Sequence, residues 1–209
     1  MNIHRIVNPF SSCTYVVHHD ELPQAVIVDP GNFDCSATTG WLERSKVEEV
    51  PYILLTHEHS DHIAGVNDLR VCYGSLVICS GSCAERIADP KKNMSYYWDR
   101  SRAFHVQADR VWEDLRWELD WSGTVIKAFP TPGHSPAGTC LVIADLLFTG
   151  DTLLGNKRPP SHLPGGDKGQ LKQSILRILT EFSPNATVFP GHGAPFFLRE
   201  IVPQEVLRG

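Results

Sequence analysis

The chain lacks the features that would attach it to a membrane or to nucleic acid. It has no long uninterrupted apolar segment, and residues 1–7 are typical of a strand, not of a signal peptide. The formal net charge is only −5, which gives no reason to expect attraction to nucleic acid or to lipid. We therefore expect a cytoplasmic protein whose partner is a small-molecule substrate, with no nucleic acid and no membrane. No feature of the sequence predicts an oligomeric state.

The chain also lacks Cys-x-x-Cys pairs, internal repeats, low-complexity segments and linkers. Its 209 residues, 42% of them hydrophobic, can bury a core without cross-links, which predicts a single domain over 1–209. Reduced, buried thiols are expected for cysteines that lie in apolar stretches of an intracellular protein. The six cysteines are Cys13, Cys35, Cys72, Cys79, Cys83 and Cys140.

Hydrophobic periodicity predicts a mixture of α and β structure. Residues 66–79 are expected to hold the end of a helix and a further strand, and 90–109 an irregular loop. Trp112 and Trp117 are expected to pack at sheet faces. The predicted strands cover residues 2–8, 13–18, 25–29, 51–55, 110–120, 124–130, 138–143 and 145–149, and the predicted helices cover 35–46, 81–89 and 169–181.

Residues 56–62 concentrate metal-ligand chemistry in one short segment. The apolar run 51–55 before them predicts a buried strand, and imidazole and carboxylate are ligands that zinc and similar metals prefer. A strand that ends in a tight loop can aim alternate side chains at one point, whereas a helix would separate residues two apart by roughly 200°. Taken alone, the segment could also form a hydrogen-bonded turn. Its four possible ligands are His57, His59, Asp61 and His62.

Three later segments repeat one arrangement: a glycine-containing turn beside a predicted strand presents a single ligand-type residue. The residues presented in this way are His134, Asp151 and His192. Glycine lets the backbone bend sharply and approach a bound group. Together with the first cluster, these turns predict a metal site.

The pattern His-x-His-x-Asp-His followed by separated His, Asp and His resembles that of the metallo-β-lactamase superfamily over nearly the whole chain. Within that superfamily, the stretches 150–153 and 163–167 resemble short single-domain hydrolases of the glyoxalase II type. The resemblance implies an α/β fold with a four-layer αββα sandwich. Asp29, in an Asp-Pro-Gly sequence that is also a common turn, would support the metal loop.

The resemblance also implies two divalent metal ions, most readily Zn²⁺, although Fe or Mn would accept the same ligands. Three residues would hold each ion and one carboxylate would bridge them, with room for a bridging water. The first ion would take His57, His59 and His134, the second would take Asp61, His62 and His192, and Asp151 would bridge the two.

The chemistry that this ligand set implies is hydrolysis by a metal-bridged hydroxide. Asp61 would act catalytically by accepting a hydrogen bond from the hydroxide, and one metal would stabilise the developing oxyanion. A thiolate leaves without a proton donor, so a hydroxyacyl-glutathione-like thioester or a related small ester is the expected substrate. The resemblance implies that lactamases of this superfamily carry Cys or a non-ligand at the position of Asp151, which disfavours β-lactam hydrolysis.

Other activities on the same scaffold remain open. A persulfide dioxygenase with a single iron would use His57 or His59 together with His134 and Asp151. A lactonase or a phosphodiesterase on this scaffold is also open. A non-catalytic metal-binding module is disfavoured, because all seven ligand positions hold ligand-type residues.

Substrate contacts are the weakest part of the pattern. The arginine and aspartate that short relatives carry align with Pro160 and His162, so recognition of glutathione is open. Arg158 could replace the arginine, or it could be a solvated loop charge. Tyr96 and Tyr97 could line a substrate pocket or cap the core.

Overall fold

The structure, a computed structural model, describes residues 1–112 and 117–207. Contacts within the chain divide it into two compact units, Met1–Val111 and Trp112–Gly209. The single domain over 1–209 stays a prediction. Within the described ranges, no helix combines the length and apolar character needed to cross a membrane.

Unit 1 is organised around a six-stranded sheet with strands in chain order, β1 to β6. The first three strands pair antiparallel, and β3, β4 and β5 pair parallel. The central strands β3 and β4 are rich in fully buried apolar residues, as expected of parallel strands covered on both faces. The strands are Asn2–Val7 (β1), Cys13–His18 (β2), Gln24–Val28 (β3), Glu49–Leu54 (β4), Leu76–Ser80 (β5) and Arg110–Trp112 (β6).

Two helices of unit 1 show the expected local chemistry at one end. The third helix ends at Gly74, which is left-handed at φ 66°. The fourth begins after Ser80, whose hydroxyl accepts a hydrogen bond from the Cys83 amide at 3.1 Å. The helices are Ser36–Arg44 (α1), Ser60–Ile63 (α2), Val66–Tyr73 (α3), Gly81–Ile87 (α4) and Ser95–Trp98 (α5), with a 3₁₀ turn at Arg100–Arg102.

Unit 2 contains a second six-stranded sheet in the order β12-β11-β10-β9-β8-β7. Strands β7 to β10 form an antiparallel meander, and β10 pairs parallel with β11. The strands are Trp117–Trp121 (β7), Thr124–Pro130 (β8), Thr139–Ile143 (β9), Leu146–Gly150 (β10), Thr187–Pro190 (β11) and Phe196–Phe197 (β12), and the helices are Lys168–Glu181 (α6) and Pro203–Val206 (α7), with a 3₁₀ turn at Leu198–Glu200.

Helix α6 shows how the amphipathic pattern of the sequence becomes packing. Its buried face carries Leu171, Ile175 and Ile178, which join Leu147 and Val188 of the sheet in one apolar core. Asp167 caps the helix by accepting a hydrogen bond from the Gln170 amide at 2.9 Å. The predicted helix over 169–181 is confirmed.

Two predictions about elements were wrong. The single strand predicted over 110–120 is two strands, β6 and β7, that belong to different sheets, and residues 113–116 lie outside the described part of the chain. The segment 90–109 is not wholly irregular, because it contains α5 and the 3₁₀ turn that follows. Trp112 is buried as expected, and its ring centroid lies 4.9 Å from that of Trp117.

The six cysteines are free thiols, as predicted, but they are not all buried. Cys72 is exposed on α3 and Cys35 is half-buried, so the prediction of burial was wrong for both. Burial raises the pKa of the Cys35 and Cys140 thiols to about 12. These two thiols are therefore poor nucleophiles near neutral pH.

We expect Gly133→Ala to lower the free energy of unfolding by about 2–4 kcal/mol, because backbone strain and overpacking add at this turn. Gly133 has φ 135°, and a Cβ there would lie 2.1 Å from the Leu171 nitrogen in the first turn of α6. Urea unfolding followed by circular dichroism measures the loss. Gly123→Ala is the control, since φ is 83° but nothing lies within 4 Å. Equal losses in the two variants would contradict the steric argument.

Candidate metal centre

The loop after β4 gathers the ligand-type residues of unit 1. His57, His59 and His62 are buried, while the side chain of Asp61 keeps 18% of its surface exposed. The ring centroid of His57 lies 4.7 Å from that of His59 and 4.3 Å from that of His62. His59 is extended, at φ −63° and ψ 140°, immediately before α2. The strand-to-loop arrangement predicted from the sequence is therefore present in this unit.

The Asp29 carboxylate connects the residues of this loop. It accepts hydrogen bonds from the Thr56 amide at 2.8 Å and the Thr56 hydroxyl at 2.5 Å. Its Oδ2 also lies 3.1 Å from Nδ1 of His62. The backbone of Asp29 has a positive φ of 49°, which short polar residues tolerate. The supporting role expected for Asp29 agrees with these contacts.

These contacts determine which ring nitrogen carries the proton in two histidines. Nδ1 of His62 faces a carboxylate, which only accepts, so it is the N–H donor. Nδ1 of His57 lies 3.0 Å from the Thr56 hydroxyl, whose single proton already goes to Asp29, so this Nδ1 is also a donor. In both rings Nε2 then keeps its lone pair, the form that binds a metal.

A buried polar group from the β1–β2 turn supports the same loop, and the sequence patterns did not predict it. The Ser12 hydroxyl donates to the Asp61 carbonyl at 2.5 Å, and the Thr14 hydroxyl donates to the Asp29 carbonyl at 2.9 Å. Asn8 donates to both hydroxyls at 3.0 Å. The only local signal is a set of polar residues within and beside otherwise apolar strands.

Close backbone approach makes Gly31 part of this support. A Cβ at position 31 would lie 1.7 Å from the carbonyl oxygen of Asp61, so no larger residue fits without movement of the metal loop. The Gly31 amide also donates to the Thr14 hydroxyl at 3.2 Å. The turn after β3 therefore holds the backbone of Asp61 in place.

Glu58 lies between His57 and His59 in the sequence, and its carboxylate is directed to helix α4. It is fully buried, and its Oε1 lies 2.5 Å from Nε of Arg86 on α4. A carboxylate in the interior needs such a charged partner. Glu58 therefore anchors the loop to α4 rather than acting as a ligand.

Three turns at the ends of strands present the ligand-type residues of unit 2. Oδ2 of Asp151 lies 3.4 Å from Nε2 of His134 and 3.5 Å from Nε2 of His192. The pairing of β10 with β11 shifts register between Phe148 and Gly150, just before Asp151, and such irregularities re-aim side chains. The three turns predicted from separate segments thus meet in this unit.

The ring of His134 is oriented by the main chain. Its Nδ1 lies 2.7 Å from the carbonyl oxygen of Pro160, which can only accept. Nε2 therefore keeps its lone pair, as does Nε2 in the two histidines of unit 1. In His134 this atom lies 3.4 Å from Oδ2 of Asp151. Pro160 therefore contributes its backbone carbonyl to the site.

The residues predicted to contact substrate lie at the surface. Arg158 and Tyr97 are exposed, and Tyr96 is half-buried with the charged groups of Lys91 and Arg100 over its ring at 5.5 Å and 4.7 Å. His162 is exposed. The substrate roles of Arg158, Tyr96 and Tyr97 stay predictions.

The donor set fits a divalent transition metal. Imidazole Nε2 atoms with their lone pairs retained stand beside carboxylates, the combination that zinc, iron and manganese accept. The contacts from Thr56, Asp29 and Pro160 hold three histidines in their ligating form, which is the usual function of residues behind metal ligands.

Comparison with known protein families identifies the superfamily to which the chain belongs. The model of the metallo-beta-lactamase superfamily matches residues 7–192. The chain therefore belongs to the metallo-β-lactamase superfamily. The mixed α/β fold with two sheets is consistent with the αββα sandwich of that superfamily, so the predicted fold class is confirmed.

Individual relatives place the chain among metal-dependent hydrolases. It is 28% identical, over 85% of its length and 71% of the other chain, to the probable polyketide biosynthesis zinc-dependent hydrolase PksB of Bacillus subtilis. It is 31% identical, over 85% of its length and 60% of the other chain, to a hydroxyacylglutathione hydrolase of Shewanella baltica. A crystal structure of the B3 metallo-β-lactamase BLEG-1 matches with a TM-score of 0.89 and 28% identity, covering 100% of both chains.

We expect Asp29→Asn to weaken zinc affinity about 10–100-fold, the usual effect of losing a partner behind a metal ligand. The amide would present a donor where the carboxylate accepts from Thr56 and His62. Competition with a chromophoric chelator measures the affinity. Asp68→Asn, an exposed substitution on α3, is the control and should bind zinc like the parent protein. Unchanged affinity in Asp29→Asn would refute the supporting role.

We expect Arg86→Met to lower the free energy of unfolding by about 3–5 kcal/mol, because Glu58 would keep a buried charge without its Arg86 partner. Urea unfolding measures this loss. The double variant Glu58→Gln, Arg86→Met should recover a substantial part of it, since the buried charge is gone. A double variant no more stable than the single one would show that Arg86 stabilises the protein by something other than its pairing with Glu58.

Proposed function

We propose that the chain is a dinuclear metal hydrolase that acts on thioesters of the hydroxyacyl-glutathione type or on related small esters. The observation that carries this proposal is the tautomer of three histidines, His57, His62 and His134. In each ring Nδ1 is hydrogen-bonded to a neighbouring oxygen and Nε2 keeps the lone pair that can bind a metal. A protein that used these rings only for packing would not need the same tautomer in all three. Its partner is a small molecule, and a cytoplasmic location stays a prediction.

The proposed ligand set follows the family resemblance, and contacts within each unit support its members. The name of the PksB relative, a zinc-dependent hydrolase, favours Zn²⁺ over Fe or Mn. When bound, two divalent ions supply an acidified water and a Lewis acid for a carbonyl oxygen. One ion would be held by His57, His59 and His134, the other by Asp61, His62 and His192, with Asp151 shared between them.

Asp61 has the properties needed to handle the proton of the attacking water. Its side chain is partly exposed, while Ser12 and the close approach of Gly31 hold its backbone. A carboxylate oxygen there accepts a hydrogen bond from the water and orients it for attack. Departure of a thiolate needs no proton, so this site suits thioesters without a separate general acid.

Buried partners keep two of the histidine rings in a single tautomer. Asp29 holds a proton on Nδ1 of His62, and Thr56 holds one on Nδ1 of His57. Neither ring can change tautomer without breaking a hydrogen bond in the interior, which costs about 1–3 kcal/mol.

A second candidate is β-lactam hydrolysis, and one observation favours it. The BLEG-1 structure, described as a B3 metallo-β-lactamase, matches the chain over its full length. The aspartate at position 151 argues against this activity, because the family resemblance implies Cys or a non-ligand there in lactamases. The single-iron dioxygenase remains a third candidate, distinguished by its metal content.

We expect purified protein to contain about two zinc, iron or manganese ions per chain and to hydrolyse S-lactoylglutathione. Asp151→Ala should lose metal and activity together, because Oδ2 of Asp151 faces both His134 and His192. Elemental analysis and a thioester assay on the same sample measure both. Asp145→Ala, an exposed substitution in the same unit, is the control.

Each alternative predicts a different result from this experiment. One iron per chain without turnover would support the dioxygenase. Two metals with turnover of a β-lactam but of no thioester would support the lactamase. A metal-loaded, fully active Asp151→Ala variant would defeat the proposed ligand set.

A further inference from the structure

A cavity of about 520 Å³ within unit 1 is lined in part by Asp61. Its walls come from four segments: the β1–β2 turn, the loop after β3, residues 60–64 and the segment 95–104. The lining is mainly apolar, and Phe10, Phe33 and Trp98 are among its largest side chains. The volume falls within the range of small-molecule sites, about 300–1,000 Å³.

The aromatic rings of this cavity are exposed, which distinguishes them from rings that cap a core. Phe10 is 55% exposed, Trp98 59% and Phe33 39%. The ring centroids of Phe10 and Trp98 lie 4.5 Å apart, and those of Phe33 and Phe104 lie 5.0 Å apart. Clustered aromatic surface left in water marks a binding surface, because covering it with an apolar ligand is favourable.

The charges at the cavity do not suit a strongly anionic ligand group. The Arg102 guanidinium lies over the Phe33 ring, 4.9 Å from its centroid. Two carboxylates, Asp34 and Asp99, also line the cavity. Hydrogen bonds from Ser36 lower the pKa of Asp34, and hydrogen bonds from Ser101 lower that of Asp99, so both are ionised at neutral pH. Asp61 is a third carboxylate in the lining, so one cation stands against three acidic side chains, which disfavours a leaving group that carries several carboxylates.

The position of Asp61 identifies which part of a substrate fits here. Asp61 and the neighbouring Ser60 line the cavity, and Asp61 is the residue proposed to orient the attacking water. A group bound against the aromatic walls would therefore have its reactive carbonyl beside Asp61. A charged peptide-like thiol does not match these walls, whereas an apolar acyl group does.

We propose that this aromatic cavity, defined by Phe10, Phe33, Trp98 and Phe104, binds the acyl group of the substrate and selects bulky, ring-bearing apolar acyl groups over acetyl or lactoyl. The proposal rests on the hydrolase function proposed above and names its substrate class. The cavity sets specificity through apolar contact alone, and the proposed metal ligands are the same for every acyl group.

The test uses thioesters that share one leaving thiol, N-acetylcysteamine, and differ only in the acyl group: acetyl, butyryl and phenylacetyl. With the zinc-loaded full chain, kcat/KM for phenylacetyl should exceed that for acetyl at least about tenfold, as differences in apolar burial allow. Phe10→Ala and Phe33→Ala should each reduce this ratio severalfold. Phe197→Ala is the matched control, because Phe197 is also 39% exposed but lies on β12 and should leave the ratio unchanged.

A binding measurement separates failure of this proposal from failure of the hydrolase function. Calorimetry should detect phenylacetate but not acetate binding to the same protein, and Phe10→Ala should weaken the phenylacetate signal. Phenylacetate binding without turnover of any thioester would overturn the hydrolase function and support the cavity as an apolar acid site. Three results would overturn the cavity assignment. They are equal kcat/KM values for all three acyl groups, an equal loss of kcat/KM for all of them in Phe10→Ala, and no binding of phenylacetate.

Discussion

The carboxylate of Asp29 is the interaction on which the metal loop of unit 1 depends. One buried side chain accepts from the amide and hydroxyl of Thr56 and faces Nδ1 of His62. Through the Thr56 hydroxyl its influence reaches His57, so one acceptor determines the tautomer of two rings. A buried carboxylate is tolerated only when it is fully hydrogen-bonded. The same contacts that satisfy Asp29 therefore prepare the histidines for a metal.

Unit 2 reaches a comparable arrangement mainly through backbone conformation. Gly133 and Gly150 have φ of 135° and 48° and directly precede His134 and Asp151. Glycine adopts such angles without the cost that other residues incur. The Gly191 amide, just before His192, donates to the Gly150 carbonyl at 2.8 Å and ties two of the turns together. The two units thus orient ligand-type residues by different means, buried side chains in one and main-chain turns in the other.

The grouping of ligand-type residues within each unit was predictable because its signal is local: a strand, a tight turn and a side chain of ligating chemistry stand within a few residues. The supporting set of Asn8, Ser12 and Thr14 was not, because it contacts the metal loop across about fifty residues of chain. The strand predicted over 110–120 failed for a related reason. Alternation indicates a strand but not the sheet to which it pairs, and β6 and β7 lie in different sheets. The aromatic cavity is lined by four separate segments, so no single window of sequence reveals it.

The carbonyl of Pro160 that orients His134 has a consequence for protein engineering. Every amino acid supplies that oxygen, so the identity of the side chain at position 160 is uncoupled from the tautomer of the histidine. The stretch 157–162 is therefore a natural target for a randomised library: its side chains can be varied in a search for new substrates, while the backbone that orients the histidine is retained in every member.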